Sequence, residues 1–245
     1  MKSIYGIEYK NGLLLDLHLP EVGEFDLFVY FHGGFLRAGS RSGVEVFAKT
    51  LSESGIAVAS VDYRLYPNAK FPDYIVDSAE SVRWLSDNIG KYGKCRRFIV
   101  GGSSAGAYIS MMLCFNDEYY KNVGVDPSLA YAYIHDAGQP TSHSSVLSEF
   151  GIDSKRVIVD KTAPLYFVGE DESYPPMLFV VSDNDLVGRY EQTMLMVKTL
   201  EHFGNIDNVS LCVRHGGHCA YVKRADADGR GEFANIILPF ISSLS

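Results

Sequence analysis

Arg97-Phe98-Ile99-Val100-Gly101-Gly102-Ser103-Ser104-Ala105-Gly106 runs from an apolar, strand-like segment straight into a helical one that continues through residues 105–115. A serine on so sharp a turn has its hydroxyl lifted clear of the sheet, and the glycines two residues to either side let strand and helix pass closely. Ser104 is therefore a candidate nucleophile. The next residue, Ala105, offers its backbone N–H at the positive end of the helix, where a developing oxyanion is stabilised. Gly-x-Ser-x-Gly alone is a weak signal in a chain with 23 glycines. Its weight comes from the flanking strand and helix and from partners elsewhere in the chain.

Composition sets the outer bounds. A chain of 245 residues with 47% hydrophobic content can bury a large core, and one α/β domain over residues 1–245 is expected. The net charge of −8, from 22 basic and 30 acidic residues, argues against nucleic acid or an anionic membrane as partner. Small neutral substrates fit better. Met1-Lys2-Ser3-Ile4-Tyr5-Gly6-Ile7-Glu8 lacks the apolar core of a signal peptide, and no apolar run reaches the roughly eighteen residues of a membrane span. The chain reads as cytoplasmic, although one that starts after a removed signal peptide would read the same way. Cys95, Cys114, Cys212 and Cys219 have no paired spacing, and two of them sit in apolar runs, so free thiols are expected.

Hydrophobic period alternates between two and about 3.6 along almost the whole chain. Strands are predicted near residues 4–9, 13–19, 27–31, 56–61, 97–101, 130–134, 177–181 and 209–213, and helices over 44–54, 73–88, 105–115, 190–203 and 233–241. Lys10-Asn11-Gly12 suits a tight hairpin between the first two strands, whereas helices separate the later ones. The expected architecture is a mostly parallel sheet of about eight strands with an antiparallel start and helices on both faces. Residues 139–174, rich in Ser, His, Asp and Pro, read as a short cap inserted over the strand ends, where open α/β sheets bind ligands.

Three further segments carry chemistry. Tyr30-Phe31-His32-Gly33-Gly34-Phe35 follows an apolar strand, and its glycines free backbone N–H groups to turn toward a substrate oxygen. Ser182-Asp183-Asn184-Asp185-Leu186-Val187 ends a strand with two carboxylates, either of which can orient a histidine. His215-Gly216-Gly217-His218-Cys219 ends the last strand and supplies that histidine.

Together these segments resemble the hormone-sensitive-lipase-like esterase group of the α/β hydrolases. Beyond the serine turn, the resemblance rests on Val61-Asp62-Tyr63-Arg64-Leu65-Tyr66-Pro67, then Phe71-Pro72, Asp77 and Val82-Arg83-Trp84-Leu85, which are similar to that group's "DYRLAPE…FP…ED…RWL" stretch. It runs from about residue 27 to the C-terminus. The chain departs from the group where many members have a third glycine: Phe35 stands there, so Gly34 is favoured as an oxyanion donor, with Phe35 and Ala105 beside it. The resemblance implies the order Ser, Asp, His. It favours Asp185, which precedes an apolar pair, over Asp183, a turn or helix-cap residue. It favours His218, which precedes Cys219-Ala220-Tyr221, over His215.

The activity so implied is acyl transfer through a covalent intermediate, with Ser104 as nucleophile, His218 as base and Asp185 as orienting acid. Short-chain carboxylic esters, with acetyl or other small acyl groups on an alcohol or carbohydrate, are the expected substrates, because a short cap covers little acyl chain. The alternatives are an amide hydrolase of the arylformamidase or peptidase kind and a non-catalytic small-molecule receptor. Plant gibberellin receptors resemble this group but lack the triad histidine, so His218 argues against the receptor. No cofactor is expected, and no metal, because His215, His218 and Cys219 lack a second pair of ligands at a fitting spacing. His32 is read as a loop anchor, Asp62 and Arg64 as holding their loop, and Tyr166, Phe167 and Tyr174 as packing residues more than an acyl pocket.

Overall fold

The computed structural model describes residues 1–169 and 173–244. Its chain runs β1 (Lys2–Lys10), β2 (Leu13–Leu19), β3 (Glu24–Phe31), α1 (Glu45–Glu53), β4 (Ile56–Val61), α2 (Asp73–Asn88), β5 (Lys94–Ser103), α3 (Ala105–Phe115), α4 (Glu118–Asn122), β6 (Ala130–Asp136), α5 (Ser144–Glu149), β7 (Met177–Ser182), α6 (Arg189–His202), β8 (Val209–Arg214) and α7 (Glu232–Ser243). The eight strands form one sheet in the order β1-β2-β4-β3-β5-β6-β7-β8. β1 and β2 run antiparallel to their neighbours, and every later pairing is parallel. The α/β hydrolase architecture expected from the sequence is the one found.

Strand β3 shows how the sheet divides the core. Its side chains alternate, so Phe25, Leu27, Val29 and Phe31 enter one apolar cluster while Phe28 and Tyr30 enter the other. The first cluster is closed by α2 through Ile75, Ala79, Val82 and Leu85, whose spacing of three and four residues makes one helical stripe. α1 and α7 close the second through Phe47, Leu51, Phe233 and Ile237. Phe233 sits at its centre, with ring centroids 5.3 Å from Phe47 and 6.1 Å from Tyr30.

Helix α3 differs from the others because all of its residues are buried. It crosses directly over β3 and β5, which requires the backbones to come close. Gly106 meets this need: a Cβ built there would overlap the carbonyl group of Phe31. Gly102 is crowded in the same way by Phe31 and by Gly106 itself. The insert between β6 and β7 holds α5 and a short 3-10 turn, Pro164–Phe167; its residues 170–172 lie outside the described chain. No helix among the described residues is long and apolar enough to cross a membrane.

Gly106→Ala is expected to lower the free energy of unfolding by about 2 kcal/mol or more, since the added methyl can be housed only by moving α3 off the sheet. Urea denaturation of the two proteins checks this. Equal midpoints would show that the helix has room to spare.

Candidate active site

Ser104 occupies the turn between β5 and α3 with φ 56° and ψ −114°, a conformation that L residues with side chains rarely adopt. Its N–H donates to the Asp136 carbonyl at the end of β6 (2.7 Å), and its own carbonyl accepts the N–H of Tyr108, the first turn of α3. The hydroxyl is thereby pointed away from the sheet. Ser104 Oγ lies 2.8 Å from Nε2 of His218, which stands on the turn after β8.

The other nitrogen of that imidazole, Nδ1, lies 2.5 Å from Asp185 Oδ1. Asp185 is on the turn after β7, and its carboxylate also accepts the N–H groups of Leu186 (2.7 Å) and Ser182 (3.3 Å). Burial, the largest single influence, pushes its pKa up; the hydrogen bond and charge of His218, with the two backbone donors, outweigh it and hold the group below the ordinary aspartate value. An ionised Asp185 accepts the hydrogen bond of Nδ1–H, and that tautomer leaves the Nε2 lone pair facing the Ser104 hydroxyl.

Asp183 and His215 go elsewhere. They pair with each other, Asp183 Oδ2 to His215 Nδ1 at 2.7 Å, and Asp183 also accepts the Gly216 N–H. The His215 side chain is 97% exposed against 19% for His218. The two acid–histidine pairs lie side by side between the turns after β7 and β8, and one of them reaches Ser104.

The loop after β3 lies across the same turn. Gly33 packs on Ser104, where a Cβ would stand 3.1 Å from that of the serine. Gly34, Phe35 and Leu36 all have positive φ, at 126°, 56° and 60°. The Gly34 carbonyl accepts the N–H groups of Arg37 and Ala38, Leu36 is buried and its carbonyl accepts the Tyr66 N–H, and Ser145 of α5 donates its hydroxyl to the Phe35 carbonyl (2.5 Å). Among the described residues the N–H groups of Gly33, Gly34, Phe35 and Ala105 have no protein acceptor. His32 is buried, stacks on Tyr63 with centroids 4.3 Å apart, and bonds the Gly33 carbonyl through Nδ1 (2.8 Å), as expected of a loop anchor. Asp62 and Arg64 take separate partners: Asp62 binds Arg41, while Arg64 binds Asp77, which Lys10 also reaches.

Ser104, His218, Gly33, Gly34 and Phe35 line a cavity of about 560 Å³. Tyr166, Phe167 and Tyr174 do not line it; Tyr174 packs edge-on against Phe115, at 4.9 Å.

Two residues of the site escaped the sequence reading. Asp136 is fully buried beneath the Ser104 turn, and its Oδ1 accepts the hydroxyl of Tyr221, three residues past His218. Tyr221 in turn stacks on Phe233. Asp136 thus ties the serine turn, through its backbone carbonyl, to the histidine turn, through its carboxyl. Burial above all raises its pKa, to about 6, against the lowering pull of its hydrogen bonds and of His218. A carboxylate at the end of the strand next to β5 was the available signal. Arg189, at the start of α6, is the other buried charge nearby, donating to the Ala137 carbonyl (2.7 Å) and Gln139 Oε1 (3.3 Å).

A family model described as the α/β hydrolase fold matches residues 28–205. The chain belongs to that family. It is 31% identical over 110 residues to a probable isoprenylcysteine alpha-carbonyl methylesterase of Oryza sativa subsp. japonica, covering 44% of this chain and 25% of that protein. It is 29% identical over 164 residues to an arylesterase of Saccharolobus solfataricus, covering 65% of this chain and 53% of the relative. The chain therefore matches from a quarter to about half the length of these relatives. Esterase B from Lactobacillus Rhamnosis superposes on 99% of this α/β hydrolase and 85% of its own chain, with a TM-score of 0.79 at 17% identity, a likeness of fold.

Two substitutions separate the acids. Asp185→Asn is expected to reduce turnover by about 10⁴-fold, and Asp183→Asn by far less, as read from kcat on one ester. A reversed ranking would put the orienting acid in the other pair.

Asp136 gives a pH signature. Its folded pKa of about 6 lies above the 3.8 of a free carboxyl, so the unfolded chain loses this proton first. The stability it contributes is complete below about pH 4 and is lost as pH rises through about 6. Asp136→Asn does not titrate. Wild type should therefore lose on the order of 3 kcal/mol relative to the variant between pH 4 and pH 7, measured by urea denaturation at both.

Proposed function

We propose that this chain is a serine esterase acting on short-chain carboxylic esters, acetyl or other small acyl groups among them, through an acyl-enzyme intermediate. The observation that carries the reading is the unbroken hydrogen-bonded chain from Asp185 through His218 to Ser104, opening into a cavity of about 560 Å³. A free serine hydroxyl is a poor nucleophile. Here His218 Nε2 takes its proton as Oγ attacks the ester carbonyl, and Asp185 stabilises the imidazolium that forms.

The carbonyl oxygen gains charge in that step and meets the free N–H groups of Gly34, Phe35 and Ala105, which need no reorganisation to receive it. His218 then passes the proton to the departing alcohol. Water, activated by the same nitrogen, releases the acid from Ser104. Cys219 does not compete as nucleophile: burial above all holds its thiol pKa well above the ordinary cysteine value.

The short acyl group is supported by the insert 139–174, whose described residues contribute nothing to the cavity lining. A long chain bound there would lie in water. The methylesterase and arylesterase among the relatives support ester cleavage on this scaffold.

Rates on p-nitrophenyl acetate, butyrate and octanoate, with an aryl formamide for comparison, test the reading. Acetate and butyrate are expected to lead, and Ser104→Ala should lose on the order of 10⁶-fold in turnover while an organophosphate labels wild type at Ser104 alone. A faster aryl formamide would make the chain an amide hydrolase, and an active alanine variant would remove Ser104 from the chemistry.

A further inference from the structure

Among the described residues, the wall of the Ser104 cavity includes one lysine, Lys223, and no arginine, aspartate or glutamate. Apart from His32 and His218, the lining is glycine, serine, cysteine and apolar or aromatic side chains. Lys223 follows His218 by five residues and reaches back across the cavity to the loop after β3. A Cβ on Gly43 would stand 3.3 Å from both Lys223 Cε and Nζ. Glycine at that position, with φ 85°, leaves the space that the ammonium group occupies.

The arginines of the loop region are engaged elsewhere: Arg41 with Asp16 and Asp62, Arg64 with Asp77, and Arg37 over the ring of Tyr66. Lys223 makes no ion pair or hydrogen bond among the described residues. Burial above all lowers the pKa of His32, against the Gly33 hydrogen bond and Asp62, and Lys223 adds a smaller push in the same direction as burial. Ser40 and Ser42, on the same wall, supply uncharged donors beside it. An exposed ammonium that faces a cavity with no carboxylate of its own is built to meet one from outside.

We propose that Lys223 makes this cavity a subsite for anionic esters: substrates that carry a carboxylate, in the acyl or the alcohol part, besides the ester that is cleaved. This rests on the esterase reading above. The carboxylate is a spectator, so the reaction stays water plus ester giving acid plus alcohol. The small neutral substrate suggested by the overall charge of −8 gives way to one that the local charge selects.

Two substrate pairs locate the carboxylate. Monoethyl adipate against ethyl hexanoate places it in the acyl part; 4-acetoxybenzoate against 4-acetoxybenzamide places it in the alcohol part. Rates are followed by acid release for wild type, Lys223→Met and Lys223→Glu. In one arm, Lys223→Met is expected to lower kcat/KM for the anionic ester about 5- to 10-fold more than for its neutral partner, chiefly through KM, with a larger gap for Lys223→Glu. The gap should close as salt is raised. Equal changes within both pairs, or none in either, overturn the proposal.

Failure of wild type to cleave even the neutral esters would overturn the esterase reading instead. Calorimetric binding of monoethyl adipate and 4-acetoxybenzoate to Ser104→Ala, with and without Lys223→Met, then still decides whether Lys223 holds a carboxylate. A Kd that Lys223→Met leaves unmoved for both compounds counts against it.

Discussion

The backbone of Ser104 is held where a side-chain-bearing residue rarely sits, and the rest of the site is arranged around that constraint. A positive φ at a non-glycine residue costs on the order of 1–3 kcal/mol and persists only where its surroundings over-determine it. Here they do. Below, the serine N–H is committed to the Asp136 carbonyl; beyond, its carbonyl starts α3; on both sides, Gly102 and Gly106 let the helix rest on the carbonyl of Phe31. The wholly buried α3 anchors the turn with more apolar contact than the strain can undo. The outcome is a hydroxyl fixed above the sheet at the point where the loops after β3, β7 and β8 converge.

Two acids flank that hydroxyl from neighbouring strands, and their surroundings set them apart. Asp185 is served by an imidazole and two backbone donors, so it stays ionised despite burial. Asp136 is fully buried, and burial outweighs the pull of its hydrogen bonds and of His218, so its proton is held until about pH 6. Nearly equal chemistry is thus divided into a permanent charge beside the histidine and a titrating bridge beneath the serine. The bridge spans the turns that carry Ser104 and His218, because Tyr221 belongs to the histidine turn and Asp136 ends the strand beside β5. Its apolar footing is the aromatic cluster on Phe233, which links α7 to the geometry of His218.

Much of this was legible in the sequence, for identifiable reasons. Strands β4 and β7 are apolar apart from one buried serine each, as strands buried on both faces tend to be, and α2 carries an unbroken stripe from Ile75 to Leu85. The short helices α4 and α5 were not anticipated, because five or six residues give too few turns for a period to register. Asp185 was separated from Asp183 only through resemblance, since both end the same strand. Their distinction is one of burial: Asp185 turns inward, whereas Asp183 folds back on the exposed His215. Asp136 was hidden because it looks like the last residue of an apolar strand, and only the sheet order places β6 beside β5.

The departure at Phe35 also has a physical resolution. A third glycine would take the left-handed backbone freely; phenylalanine and leucine take it here because several contacts fix the loop from outside. Leu36 is sunk in the core while Phe35 is half exposed at the cavity, so the pair acts as a peg and a projecting ring. The hydroxyl of Ser145 secures the Phe35 carbonyl from α5, and the N–H groups of Gly33, Gly34 and Phe35 have no acceptor among the described residues. The insert between β6 and β7 therefore touches the site from behind, by bracing the loop after β3 through that hydrogen bond. Its described residues stay out of the cavity wall, which is built instead by segments after β3 and after His218, Gly43 and Lys223 among them.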